Sequence, residues 1–340
     1  MGKVFRLFAC CLLVKGVKRA VICDLQRDSM YFVTIPFWEI LTNTQDLSIE
    51  EILESYSNQI GEEEIVAFFE SLVNRDLGFW TDEPEVFPQI ELTWENPSII
   101  TNAIIDHNDS FHHNFALIFS KLELVGCRDV QVRCYDYLSL SELHSILELL
   151  ERKRIKSIEF IIKYNNEIDM KAMLILTEKY LRIKSIIVHS APQTVTHRFT
   201  GQSEVNMGNI IMTEQIIDSN RCCGIISPDY FLVGLPSFTE GLNFNSCLNR
   251  KLGIDIDGSL KNCPSMKKSF GNIYTDDIVD VVSSSVFQET WRINKDKITT
   301  CKVCEFRYVC TDCRAFLESD TSLEKPLKCN YDPYSLEWKN

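Results

Sequence analysis

The chain has 340 residues, enough for two or three compact units, and its 45% hydrophobic and 24% charged content is ordinary for a folded soluble protein. Its 35 basic and 48 acidic residues leave a net charge of −13, which argues against a nucleic-acid backbone as partner. No apolar run reaches the roughly 18–20 residues that a membrane helix needs, so no membrane partner is expected.

Near the N-terminus, Leu7-Phe8-Ala9-Cys10 has the outline of a lipoprotein cleavage site. Too few apolar residues precede Cys10, however, for the roughly 7–15-residue core of a secretory signal. The stretch reads instead as a β-strand. Fourteen cysteines without export point to a reducing compartment, where thiols serve metals rather than disulfides, and a cytoplasmic location is expected.

Three strands are expected at Val4–Val14, Arg19–Leu25 and Met30–Ile35, with turns between them. Pro36 opens a short helix through Ile40. The capping box Ser48-Ile-Glu-Glu51 starts a second, and Gly61-Glu-Glu-Glu64 a third that Gly78 ends. In the third, Ile65, Phe68, Phe69, Leu72 and Val73 form one amphipathic stripe. A strand hairpin followed by three short helices is a winged-helix pattern. The segments "AVICDLQRDSMYFVTIPFWEIL" and "ESLVNRDLGFW" resemble the PqqD-like leader-recognition domain of peptide-modifying systems. That resemblance implies capture of a precursor peptide's leader as an added strand on an exposed sheet edge. Met30, Phe32 and Thr34 of the edge strand, with Ile65 and Phe69 of the third helix, are the expected peptide-binding residues. The alternative is a DNA-binding winged helix. Glu62, Glu63, Glu64 and Glu70 against the single Arg75 disfavour it.

Residues 81–97 carry Pro84, Pro88 and Pro97 among acidic residues and read as a linker. Strands and helices then alternate. Strands are expected at Ser98–Ile105, Val130–Cys134, Ile155–Ile162, Ile183–His189 and Asn209–Met212. Helices are expected at Phe111–Leu124, Ser139–Glu151 and Asp169–Leu181. Repeated βα units mean a parallel sheet, open or closed, and about five units are fewer than the eight of a full barrel.

Seven cysteines fall in the last hundred residues: Cys247, Cys263 five positions after Gly258, the run Cys301-x2-Cys304-x5-Cys310-x2-Cys313, and Cys329. Thiolates at such intervals converge on an iron–sulfur centre or a zinc ion, and seven exceed one four-coordinate metal. One zinc held by the CxxC-x5-CxxC run is the alternative. Its five-residue spacer is short for two knuckles, and three cysteines would have no role.

From Phe238 to Trp338 this order resembles the SPASM domain of radical SAM peptide-modifying enzymes. "CKVCEFRYVCTDCRAF" and "KPLKCNYDPYSLEW", taken with the N-terminal segments, resemble the grasp-with-spasm system SPASM-domain peptide maturases. The resemblance implies an α/β chain of three parts: a winged-helix-like PqqD-like domain (1–85), a degenerate partial βα barrel of radical SAM type (96–235) and a cysteine-rich SPASM domain (238–340). It also implies maturation of a ribosomally synthesised peptide, with the precursor leader and an ATP-grasp peptide ligase as partners. Two 4Fe–4S clusters are the implied cofactors, with zinc as the alternative. Carried over, Cys301, Cys304, Cys310 and Cys329 hold the outer cluster, and Cys247, Cys263 and Cys313 the inner one. Some relatives have a further ligand six positions after the first cysteine. Here that position is Gly253, which leaves an open iron or a borrowed ligand such as Asp255 or Asp257.

No CxxxCxxC motif occurs, so binding of SAM is not expected, and the catalytic residues and any reaction stay unassigned. The adjacent pairs Cys10-Cys11 and Cys222-Cys223 have the wrong spacing for three corners of a cube. The place of the missing motif reads "IITNAIIDHNDSFHHNF". Its His107, His112 and His113, with Asp106 and Asp109, form either an improvised metal site or a solvated loop. Cys127 and Cys134 read as buried small hydrophobes, and His189 as a strand-end residue facing either an active-site mouth or the core. Three functions compete: a maturation component without SAM chemistry, a redox enzyme acting through its auxiliary clusters, and a zinc-bearing adaptor.

Overall fold

The computed structural model of the chain describes residues 2–200, 207–319 and 322–339. The N-terminal part runs β1 (Val4–Leu7), β2 (Cys11–Lys15), β3 (Arg19–Asp24), β4 (Ser29–Thr34), α1 (Ile35–Asn43), α2 (Ile49–Tyr56), α3 (Glu62–Asn74) and β5 (Gly78–Thr81). The expected single strand Val4–Val14 is two strands. A turn closed by Cys11 N–H donating to Phe8 O (2.8 Å) breaks it, and β1 pairs with β5 instead of continuing into the β2-β3-β4 sheet. The expected box at Ser48 and Glu51 caps α2.

The antiparallel β2-β3-β4 sheet is covered on both faces, and the alternation of β3 shows why. Ala20 and Ile22 pack with Ile40, Ile52, Ile65, Phe69 and Leu72 of the three helices. Val21 and Cys23 turn the other way, onto Phe238, Phe306, Val309 and Cys310 of the cysteine-rich region.

The centre alternates β6 (Asn102–His107), α4 (Phe115–Leu124), β7 (Asp129–Cys134), α5 (Leu140–Leu150), β8 (Ser157–Lys163), α6 (Met170–Lys179) and β9 (Ile183–His189), followed by β10 (Val195–Thr200) and β11 (Met207–Met212). Beyond them lie α7 (Leu235–Asn243), β12 (Lys251–Ile254), β13 (Leu260–Lys261), α8 (Ile278–Ser283) and α9 (Ser285–Gln288). The strands form one open, mostly parallel sheet of eight in the order β10-β11-β9-β8-β7-β6-β12-β13. β12, from the cysteine-rich region, pairs in parallel with β6. Ile105, Val132, Phe160 and Ile186 lie in register and join the core under α4, α5 and α6. Their neighbours Ile104, Gln131 and Glu159 face the side without those helices, which is where the inner cysteines gather.

Candidate metal centre

The loop after α7 presents Cys247, and the segment just after β13 delivers Cys263. Asn245, fully buried, ties the Cys247 loop to the segment that carries Cys313. Its Oδ1 accepts from Cys247 N (3.0 Å) and Leu248 N (2.9 Å), while its Nδ2 donates to Asp312 Oδ2 (2.7 Å), beside Cys313. Cys247, Cys263 and Cys313 line one cavity of about 680 Å³ on the helix-free face of the sheet, with Ile104, Gln131 and Glu159 opposite. Cys222 and Cys223 line it too. A Cβ on Gly224 would come within 2.8 Å of the Cys313 sulfur, so the upstream pair closes directly over that thiol.

Burial first of all pushes the Cys313 thiol up to about 12, and Cys247, Cys263 and Cys223 add to it. Lys251 Nζ donates to Cys247 Sγ at 3.6 Å. Asp255, expected as a borrowed ligand, is committed to an ion pair with Lys261, and Asp257 Oδ1 accepts from Ser259 N (2.9 Å). Neither lines the cavity. Gly253 is required by packing, since a Cβ there would sit 2.5 Å from Pro264 N.

Cys301, Cys304, Cys310 and Cys329 form the second group. Burial pushes the Cys301 thiol up to about 12; Lys295 opposes it, and Asp312, Cys329 and Cys310 add to it. Burial likewise raises Cys304 and Cys310. Cys310, Cys304 and Cys329 also belong to the apolar layer under β2 and β3. Among the described residues no three of these seven sulfurs lie within 4.8 Å of one another. Four thiolates on zinc, with bonds of about 2.3 Å, stand roughly 3.8 Å apart. Cys313 also parts from Cys301, Cys304 and Cys310, against a single zinc on the run.

Of the expected peptide-binding residues, Met30, Phe32 and Thr34 lie on β4, an edge of its sheet. Phe32 is exposed, with the Arg19 guanidinium 3.7 Å over its ring and Phe306 at 5.8 Å. Ile65 and Phe69 lie in the core of the N-terminal part. They are buried with Phe5 and Ile22, where the apolar stripe of α3 packs on the sheet, and Phe69 also lines a cavity of about 400 Å³ with Val66, Glu70 and Trp80. Cys127 and Cys134 are buried in the central core as expected. His189 is buried at the end of β9, its Nδ1 3.1 Å from Ser190 Oγ. Sequence reasoning missed Lys251, Asn245, Lys295 and Cys223, none of which has a spacing signal of its own.

Residues 246–305 match the SPASM family, an iron–sulfur cluster-binding domain. The match includes Cys247, Cys263, Cys301 and Cys304 and bears out the resemblance read from the cysteine order. No curated protein sequence matches the chain. Among solved structures, it is similar to Streptococcus suis SuiB bound to S-adenosylmethionine, at 13% identity and a TM-score of 0.41, over 95% of this chain and 97% of SuiB. SuiB bound to its precursor peptide SuiA gives 12% and 0.40 over the same shares. The heterocyclase TruD gives 18% and 0.22, over 44% of this chain and 24% of that one. Likenesses this loose assign neither reaction nor substrate. No described helix is long and apolar enough to cross a membrane.

Proposed function

We propose that the chain is a maturation component for a ribosomally synthesised peptide. It binds the precursor's leader at the β4 edge and carries two 4Fe–4S clusters, the inner one beside a cavity for the peptide's core. The observation that carries this reading is the parting of the thiols into two groups. One lines the 680 Å³ cavity on the open face of the sheet, and the other lies under the strand layer that presents β4. Cys301, Cys304, Cys310 and Cys329 would hold the outer cluster. Cys247, Cys263 and Cys313 would hold the inner one, with Cys223 as its fourth thiolate, which removes the need for an open iron. The donors fit: eight thiols, with half-buried Lys251 and buried Lys295 to balance the negative charge of thiolate-bound clusters. Such clusters supply one-electron transfer when bound. The chain's own residues position thiols, exclude water and hold the peptide.

The resemblance of the tail and N-terminal segments names an ATP-grasp peptide ligase as the partner, acting in the cytoplasm. Without CxxxCxxC, the clusters serve this role without cleavage of SAM.

The test is titration of the full-length chain with a fluorescent precursor leader. Binding should weaken at least tenfold when proline replaces a leader residue paired with β4, since proline removes a backbone donor. Unchanged affinity at every proline position would refute docking by strand addition.

A further inference from the structure

We propose that His107, His112 and Glu142 form a mononuclear site for a divalent first-row transition ion, zinc or ferrous iron, separate from the sulfur centres. One ligand atom of each lies within 4.8 Å of the other two. A tetrahedral ion with bonds of about 2.0–2.2 Å separates its ligands by roughly 3.4 Å, so small side-chain rotations close the set. Two imidazoles and a carboxylate are the donors of open catalytic zinc and non-haem iron sites.

The three residues come from different elements. His107 is the last residue of β6, and His112 lies on the loop before α4. Glu142 is in the first turn of α5. His107 is 4% exposed and its Nδ1 has no hydrogen-bond partner among the described residues. That nitrogen is buried with a lone pair or proton to satisfy, and the same ring stands within reach of His112 and Glu142. Glu142 Oε2 accepts from Ser139 N (2.9 Å) and Ser139 Oγ (2.6 Å), which orients the carboxylate and leaves its other oxygen free, as an outer shell does for a ligand. His112 is exposed and gives the ion a way in.

The remaining candidates of this loop are committed elsewhere. His113 places Nδ1 2.7 Å from Tyr274 Oη and Nε2 2.9 Å from Asp106 O. The Asp106 carboxylate accepts two bonds from Arg133, at 2.6 and 2.9 Å. Thus two of three histidines are free to ligate, and both meet Glu142. The site opens on a cavity of about 320 Å³ lined in part by Leu138, Ile146 and Leu149, with room for a fourth ligand from water or substrate. It sits at the carboxyl end of a parallel strand, where open α/β sheets bind their ligands.

The test uses full-length protein purified anaerobically with its sulfur centres filled, freed of loosely held metal by dialysis against a mild chelator that leaves the cluster iron and sulfide in place, then titrated with Co²⁺. The wild type should take up one further equivalent, with visible ligand-field bands and no sulfur-to-cobalt charge transfer. His112→Ala and Glu142→Gln should weaken that binding at least tenfold, leaving iron, sulfide and far-ultraviolet circular dichroism unchanged. His197→Ala, an exposed histidine on β10, should have no effect. Metal analysis of untreated protein then tells zinc from iron in excess of sulfide, and either fits. Cobalt binding that both variants retain, cobalt bound only through sulfur, or no uptake by the wild type would overturn the assignment.

Discussion

Lys295 is buried, and its ammonium lies 2.9 Å from the Cys310 sulfur, with Thr311 O at 3.2 Å as its second acceptor. Lys251 stands in the same relation to Cys247. Each thiol group therefore carries one lysine, buried beside Cys310 and half-buried beside Cys247. A buried ammonium facing sulfur is expensive unless the sulfur becomes thiolate, so the lysines mark where negative charge is to reside.

Replacing Lys295 with Met should lower the reduction potential of the outer cluster by on the order of 100 mV. One charge about 5 Å away at an effective dielectric of about 20 is worth roughly 3 kcal/mol. Potentiometry followed by electron paramagnetic resonance measures it. An unchanged potential with an intact cluster would remove the charge-balancing role.

Asn245→Ala should destabilise the chain by about 2–3 kcal/mol, because Asp312 and two backbone amides lose their partner in a buried place. Denaturant unfolding gives the number. Inner-cluster loss at lower chelator concentration than in wild type should accompany it, with the outer cluster unaffected.

The order of the cysteines was legible because thiolate ligation leaves short, fixed spacings in the chain. Cys223 was not, because it reaches the site from a segment before α7, well upstream of the spaced run. The same holds for Glu142. His107 and His112 share a loop, but their carboxylate arrives from the helix after the next strand. The βα alternation was readable from Val130–Cys134 to Ile183–His189 because each strand is apolar and each helix is capped. β10 was missed: it is exposed, Val195-Thr-His-Arg-Phe-Thr200 has no apolar face, and only pairing with β11 makes it a strand. The stripe of Ile65 and Phe69 announced the buried face of α3 and no more. An amphipathic stripe says that a face is buried, not what buries it.

Cys223→Ser should leave both clusters assembled but give the inner one a distinguishable iron. Cyanide or imidazole should then perturb its resonance spectrum, as neither does in wild type. Cys222→Ser should behave as wild type. Equal spectra for wild type and Cys223→Ser would return the inner centre to three cysteine ligands.

Burial holds Cys301 and Cys313 near 12, so these thiols keep their protons until metal displaces them. Loading therefore releases protons, and its affinity should rise with pH across the neutral range. Calorimetry of reconstitution in buffers of different ionisation enthalpy counts the protons. A loading affinity independent of pH would mean that the empty sites already hold thiolates.

The central claim is that eight thiols make two iron–sulfur centres. Iron, acid-labile sulfide and zinc, measured together on anaerobically purified full-length protein with Mössbauer spectra of the iron, test it most directly. Two 4Fe–4S clusters predict about eight iron and eight sulfide per chain, in two cluster environments. Stoichiometric zinc without sulfide would contradict the account.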